Sequence, residues 1–124
     1  MNVQHDTDGL NSPVIREALF ADLDTIVEFN LRIARETEER ELDRRTVTRG
    51  VETLLREPAR GRFWLAIVDG RPAGQIMVTY EWSDWLAADF WWIQSVYVHP
   101  DFRRRGVYRS LHQHVEQEAR RNGA

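Results

Sequence analysis

The spacing of apolar residues changes partway along the chain, and the change separates two kinds of element. Residues 14–20, VIREALF, are short and β-branched with partial alternation, which predicts a strand. From Asp22, a good N-cap residue, apolar positions then recur at helical spacing. A second helix is expected over residues 46–56, after a charged connection at 36–45 and before Pro58. The first half of the chain is thus predicted to form one strand and two helices.

The second half carries strand patterns before its last helix. Two apolar runs flank Asp69-Gly70, a pair that favours a two-residue hairpin turn, and Gly74 suggests a bulge in the second run. Residues 90–98, FWWIQSVYV, are apolar enough to predict a central strand that is buried on both faces. A helix is expected from Val107 onward. The predicted fold is α/β (α+β), a mixed and mostly antiparallel sheet flanked by helices, in the order β-α-α-β-β-β-α.

Length and composition fit one domain. The chain has 124 residues, of which 42% are hydrophobic and 30% are charged, a balance typical of a soluble globular protein. No apolar run approaches the ~20 residues that a membrane span needs, and the N-terminus lacks the pattern of a secretory signal. Residues 1–12 are predicted to be a disordered tail and residues 13–124 a single domain. No membrane partner is expected.

The residue types that are missing limit the chemistry. Cysteine is absent, which excludes disulfides and a cysteine nucleophile and fits a cytoplasmic location. All 17 basic residues are arginine, so no Schiff-base lysine is available. A net charge of -3 argues against a nucleic-acid partner. His99, His112 and His114 have no metal-like partners in the sequence, so they are interpreted as surface residues and no metal is expected.

The segment HPDFRRRGVYRS, residues 99–110, predicts an anion-binding site. It follows a strand and leads directly into a helix, whose first N–H groups lack internal partners and lie at the positive end of the helix dipole. Gly106 lets the backbone approach a ligand, and Arg103, Arg104 and Arg105 add charge-assisted contacts. Charge and glycine alone leave two interpretations open, a site for a phosphate-bearing ligand or a basic turn that caps the helix.

The residue order VYVHPDFRRRGVYRS favours the first interpretation, because it resembles the acyl-CoA signature of the GNAT superfamily of N-acetyltransferases. In that family a strand that ends in a Val-x-Pro-like sequence meets an Arg/Gln-x-x-Gly-x-Gly/Ala loop that opens a helix. The specific motif covers residues 96–111, and the order of elements is similar to the family over residues 13–124. Tyr108 departs from the motif, since the family most often has glycine or alanine there.

The resemblance implies acetyl-CoA as the acyl donor and an amine, on a small molecule or a peptide, as the acceptor. The backbone of Val96 and Val98 would pair with the pantetheine arm, and the N–H of Val98 would stabilise the oxyanion. The amine would attack directly, without an enzyme nucleophile. The N–H groups that would hold the pyrophosphate are those of Arg104, Arg105, Gly106, Val107 and Tyr108, beside the charge of Arg103.

The general base is less defined. Family members often carry a carboxylate or histidine early on the motif strand, where this chain has Trp92 and Gln94. Gln94 is a candidate for holding a water molecule, and Glu81 and Asp89 are the carboxylates nearest in sequence. Trp82 and Trp85, expected in a loop, are candidates for an aromatic wall around the amine or for an interface. Core and edge packing is favoured for Trp91 and Trp92.

The family fold continues with further strands beyond the final helix of this chain, so the C-terminal strands are expected to be absent. The aromatic strand would then have an unpaired edge, which predicts a homo-oligomer. Two other functions stay open, an acyl-CoA-binding or regulatory half-domain without catalysis and, less favoured by the charge, a nucleic-acid surface.

Overall fold

The computed structural model describes residues 12–124, so the predicted tail at 1–12 lies, apart from Ser12, outside the described residues. Short 3-10 turns precede the first and the last helix, at Phe20–Asp22 and Pro100–Phe102. The element order matches the prediction, and the predicted second helix begins earlier, at Arg44, because Asp43 caps it by accepting a hydrogen bond from the N–H of Thr46. The elements are β1 (Val14–Glu17), α1 (Leu23–Glu38), α2 (Arg44–Arg56), β2 (Gly61–Val68), β3 (Arg71–Ser83), β4 (Ala88–Val98) and α3 (Val107–Arg121).

The four strands form one antiparallel sheet in the order β1-β2-β3-β4. Within residues 12–124, β4 is therefore an edge strand, and the prediction of a central strand buried on both faces was wrong. Phe90 is 48% exposed and Trp92 51% exposed. The error has a physical reason, because a continuous apolar run indicates burial in a parallel sheet but does not show on which side a further strand lies.

The β2–β3 hairpin contains a two-residue turn and one bulge. The hairpin turn at Asp69 and Gly70 has positive φ at both residues, as a two-residue turn of this type requires. The pairing of β2 with β3 passes from Ala66↔Gly74 to Ile67↔Pro72, so the extra residue is Ala73 rather than the predicted Gly74.

A second bulge lies between β3 and β4. The pairs Met77↔Ser95 and Val78↔Ile93 leave Gln94 as the extra residue. Gln94 was singled out in the sequence for its chemistry, and the structure adds that the strand is irregular at this residue.

The sheet separates two apolar cores. On one face, α3 packs through Val107, Leu111 and Val115 against residues such as Trp64 and Ile76. On the other face, α1 and α2 cover a second cluster, with Ile26, Val27, Leu31, Val51, Phe63 and Leu65 at its centre. Side chains along each strand therefore alternate between two faces of the sheet. We call the face covered by α3 the α3 face, and the face covered by α1 and α2 the α1 face.

An ion pair fixes the start of α1 against β1. Both terminal nitrogens of Arg16 donate to Asp22, at 2.8 and 3.0 Å, and the N–H of Leu19 donates to the same carboxylate at 2.7 Å. The Arg16 guanidinium, as the largest cause, lowers the pKa of Asp22 from its ordinary value. Asp22 was predicted as a helix cap, and its side chain caps the short turn that leads into the helix.

The tryptophans separate into a packed pair and an exposed group. Trp91 is half-buried and stacks on Trp64, whose ring centroid is 6.1 Å away. Trp92 lies on the opposite face of the edge strand and is about half exposed, so of the predicted core and edge packing the core position was wrong. Trp82 was expected in a loop and instead lies in β3, whereas Trp85 is in the turn and is 93% exposed.

Candidate functional site

The free edge of β4 presents backbone groups near its C-terminal end. The N–H of His99 donates to the carbonyl of Ala73 at 2.8 Å, so this residue pair is hydrogen-bonded. In an antiparallel ladder bonded and non-bonded pairs alternate, which makes Gly74↔Val98 a non-bonded pair. The N–H and C=O groups of Val98 therefore point away from β3, and the same alternation turns those of Val96 outward. These two residues were predicted to hold the pantetheine arm.

The loop after β4 exposes a run of N–H groups at the start of α3. Arg104 and Gly106 have φ values of 65 and 79°, the left-handed conformation that turns successive amides toward one side. Gly106 is the N-cap residue of α3, and no side chain caps the helix there. Between residues 12 and 124, no acceptor is found for the N–H groups of Arg104, Arg105, Gly106, Val107 or Tyr108.

These two features meet at one open cavity of about 610 Å³. Val96, Tyr97 and Val98 form one wall, and residues 102–104 and 106–109 form another. Glu36 and Thr37, at the end of α1, complete the lining. The side chain of Val107 is buried in the core, whereas Tyr108 is exposed at the rim with its ring against that of His112.

Arg103 links three parts of this cavity, in a contact that we call the Arg103 latch. Its Nη2 donates to Glu36 at 2.7 Å and its Nε donates to the carbonyl of Val98 at 2.9 Å. The hydroxyl of Tyr97 donates to the other oxygen of Glu36 at 2.9 Å. The Arg103 contact lowers the pKa of Glu36, and burial raises that of Tyr97. Arg104, Arg105 and Arg109 form no ion pair with any residue from 12 to 124.

Glu36 was not recognised in the sequence as part of the site. It belongs to a charged segment with several glutamates and arginines, and only the fold brings it beside Arg103. Tyr97 was quoted in the motif without a role. No periodicity or spacing in the sequence distinguishes Glu36 from its charged neighbours.

A smaller groove of about 250 Å³ lies on the α1 face of β4. Asn30, Glu38, Val47 and Ser95 contribute to its lining. Asn30 in turn accepts a hydrogen bond from Nε2 of the fully buried Gln75 at 2.8 Å. The last turn of α1 therefore borders the Arg103 cavity through Glu36 and this groove through Glu38.

The structure separates the predicted base candidates from the cavity. Gln94 donates through Nε2 to the hydroxyl of Thr79 at 2.8 Å, which leaves its carbonyl oxygen for another partner. Glu81 accepts a hydrogen bond from Nε1 of Trp92 at 2.8 Å, on the α1 face of the hairpin. Asp89 pairs in register with Trp82, nearer the hairpin turn. Neither carboxylate lines the cavity.

The predicted surface histidines are partly buried. His114 faces Trp64 at a ring-centroid distance of 6.1 Å, and Nδ1 of His99 accepts a hydrogen bond from the N–H of Asp101. Across residues 12–124, no group of three His, Asp or Glu side chains is arranged to hold a metal ion. None of the helices in this same part of the chain combines the length and apolar character that crossing a membrane requires.

The fold and the N-terminal loop of α3 define a class of acyltransferase, and a comparison with family models identifies it. Residues 23–124 match the model of the Acetyltransferase (GNAT) family. The chain belongs to the GNAT acetyltransferase family. A comparison with curated proteins gives no match.

Solved structures agree with this assignment. A structure described as a possible acetyltransferase from Clostridium difficile 630 is 45% identical, with a TM-score of 0.82 over 85% of this chain and 69% of that chain. A probable acetyltransferase is 25% identical, with a TM-score of 0.82 over 90% and 74%. An aminoglycoside acetyltransferase from an uncultured soil metagenomic sample, solved with sisomicin, is 15% identical, with a TM-score of 0.71 over 90% and 72%. The last similarity concerns the fold alone.

Proposed function

We propose that this chain is an N-acetyltransferase that transfers an acetyl group from acetyl-CoA to a primary amine by direct attack. The observation that supports it most is the continuity of the outward-facing edge of β4 with the unpartnered N–H groups of the loop. The edge offers Val96 and Val98, and the loop offers residues 104–108. Membership of the GNAT family supports acyl transfer in general.

The residues present fit the donor. N–H groups at a helix N-terminus bind phosphate oxygens, and Gly106 at φ 79° keeps this approach free of a side chain. Arg104, Arg105 and Arg109 supply charge that no carboxylate of residues 12–124 neutralises. The pantetheine arm carries amide groups, which suit the outward N–H and C=O groups of the β4 edge as an added strand does.

In the reaction, the amine nitrogen forms a bond to the acetyl carbonyl carbon while the carbon–sulfur bond breaks. The sulfur leaves as the thiolate of CoA, and the amine loses its proton to water or to a base. The N–H of Val98 donates to the carbonyl oxygen as negative charge develops on it. Val96 presents its N–H along the same edge and aligns the arm.

The groups that we assign to proton removal lie on the α1 face of the β3–β4 hairpin. Gln94 holds a water molecule through its free carbonyl oxygen. Glu81 lies further along β3, so as a base it acts through water rather than directly. Glu36 is unsuited to this role, because its lowered pKa makes the carboxylate a weak proton acceptor.

A second function, binding of acyl-CoA without catalysis, is favoured by one observation. Glu36, the carboxylate that lines the cavity, is engaged by Arg103 and Tyr97. A chain that binds CoA but transfers no acetyl group to any of a panel of amines would have this function.

The experiment compares two glycines with the same backbone conformation. Gly106 and Gly123 have φ values of 79 and 76°, and an added Cβ would contact nothing within 4 Å at either residue. Both Gly106→Val and Gly123→Val therefore introduce similar strain, but only Gly106 lies in the loop. We expect calorimetry to show CoA affinity at least 10-fold weaker for Gly106→Val and nearly unchanged for Gly123→Val. Equal CoA affinities for the two variants would refute the donor site. The reaction itself is tested separately, by assaying acetyl transfer with the wild-type chain.

A further inference from the structure

The tip of the β3–β4 hairpin carries an aromatic and acidic site, of which the proposed transfer uses only Glu81, as a base that acts through water. Glu81 and Phe90 are directly opposite each other in the ladder, and Trp92 donates to Glu81 from the neighbouring position. All three side chains are on the α1 face and are exposed. We call these three residues the hairpin triad. One oxygen of Glu81 has no hydrogen-bond donor among residues 12–124.

The charge around the triad is uncompensated. Residues 72–102 contain no arginine, although arginine is frequent in the rest of the chain. Most carboxylates elsewhere form ion pairs, such as Glu28 with Arg44 and Glu57 with Arg60. Within the described part of the chain, Glu81, Asp84 and Asp89 form none. The hairpin is therefore electrostatically complementary to a cation that these residues do not supply.

Elsewhere in the molecule, aromatic rings pair with guanidinium groups, which are the basic groups that this lysine-free chain supplies. Guanidinium groups stack on aromatic rings at several places, for example Arg62 at 4.8 Å from the ring centroid of Trp64 and Arg71 at 4.8 Å from that of Phe102. Among residues 12–124, no such partner is found for Phe90 or Trp92. A guanidinium between these two rings would also reach the free oxygen of Glu81.

The distance to the proposed reaction centre limits the kind of ligand. Val98 lies opposite Gly74, and from Gly74 to Glu81 the strand β3 rises about 24 Å at ~3.4 Å per residue. An extended peptide covers that distance in roughly seven residues. Exposed apolar side chains continue from the triad into the hairpin turn, at Trp85 and Leu86, and an apolar patch of this kind suits a polypeptide better than a small amine.

We propose that the hairpin triad binds the basic side chain of an extended peptide acceptor, far from the amine that is acetylated. The inference rests on the proposed function for the identity of the reacting amine. The guanidinium of an arginine stacks on Phe90 and Trp92 and pairs with Glu81. Binding of this side chain is distinct from proton removal, because a base role for Glu81 would change the pH dependence of the rate and leave peptide affinity unchanged.

The test uses two seven-residue peptides with a free N-terminus, built from glycine and alanine and carrying arginine or its neutral isostere citrulline at position seven. NMR titration without acyl donor follows the indole N–H signals and gives both dissociation constants. We expect the arginine peptide to bind wild-type protein roughly 5- to 10-fold more tightly, from one exposed cation–π contact and one exposed ion pair.

Variants assign this difference to the triad. In Glu81→Gln the two peptides bind equally, whereas in Glu116→Gln, which removes the same charge from α3, the full difference remains. Trp92→Phe keeps an aromatic ring and retains part of the difference. An unchanged difference in Glu81→Gln overturns the proposal, and Glu81-dependent binding of spermine without any arginine–citrulline difference overturns the peptide as its ligand.

Turnover separates this inference from the proposed function. Moving the arginine to position two should raise the KM for acetyl transfer several-fold at unchanged kcat, because the side chain no longer reaches the triad. If the protein shows the binding difference but no acetyl transfer, the hairpin-triad proposal stands and the proposed function is refuted. If the protein acetylates both peptides with the same KM and shows no binding difference, the proposed function stands and the hairpin-triad proposal is refuted.

Discussion

At the scale of single residues, the proposed catalysis depends on backbone groups that ordinary side-chain substitutions leave in place. Val98 is predicted to donate the N–H that stabilises the oxyanion, and Val96 faces the same edge. Neither N–H takes part in the ladder with β3, so proline at either residue removes the donor without removing a sheet hydrogen bond.

Val98→Pro should therefore lower kcat for acetyl transfer by about 100-fold or more, the usual effect of losing one oxyanion donor. Val98→Ala keeps the N–H and should retain most of the activity. Val96→Pro should mainly weaken CoA binding, measured by calorimetry. If Val96→Pro rather than Val98→Pro removes kcat, the oxyanion donor is Val96.

Asp22 gives the stability of the protein a dependence on pH. Its pKa in the folded state lies below the ordinary value of 3.8 because Arg16 donates to it. The stabilisation is present above the unfolded pKa and is lost as the pH falls through the folded pKa. Asp22→Asn should lower the free energy of unfolding by about 1 kcal/mol at pH 7.

That difference should shrink toward pH 3, and urea unfolding at both pH values measures it. Asp84→Asn, at an exposed carboxylate without an ion pair among residues 12–124, is the matched control and should have little effect at either pH. A deficit in Asp22→Asn that is the same at pH 3 and pH 7 would show that the charge of Asp22 is not its cause.

At the scale of elements, Gly74 controls how closely β3 and β4 can approach. A Cβ at Gly74 would lie 2.5 Å from the carbonyl oxygen of Tyr97 and 3.3 Å from Val107. Gly50, exposed on α2, has nothing within 4 Å of such a Cβ. Gly74→Ala should destabilise the fold by roughly 2 kcal/mol or more, and Gly50→Ala should stabilise it by up to ~1 kcal/mol. Thermal unfolding that ranks the two variants equally would contradict this account of the β3–β4 contact.

At the scale of elements, local features could be predicted from the sequence, whereas features that depend on distant contacts could not. Local patterns predicted each element, because helical spacing, an Asp-Gly turn and a glycine before a helix act over a few residues. The edge position of β4 and the place of Glu36 depend on contacts between distant segments. The apolar run of β4 indicated a buried strand, but no element of residues 12–124 covers its outer edge. Nothing in the sequence around Glu36 distinguished it from the other charged residues nearby.

At the scale of the whole molecule, no strand of residues 12–124 pairs with the outer edge of β4, and association is therefore the predicted behaviour of the chain. Residues 88–94 combine free backbone groups with exposed Phe90, Trp92 and Ile93. Light scattering should show a mass that rises with concentration, and Ile93→Arg should reduce the rise by placing a charge at the edge. A monodisperse monomer at high concentration that binds no dye for exposed apolar surface would contradict the prediction.

The Arg103 latch has a consequence for how strongly the binding of two substrates would be coupled. A donor that pairs with the carbonyl of Val98 displaces the Nε of Arg103, and the hold of Arg103 on Glu36 then changes. Glu36 shares the last turn of α1 with Glu38, which lines the groove beside Ser95. Because coupling between two binding events is reciprocal, an acceptor in that groove alters donor affinity as much as the donor alters that of the acceptor.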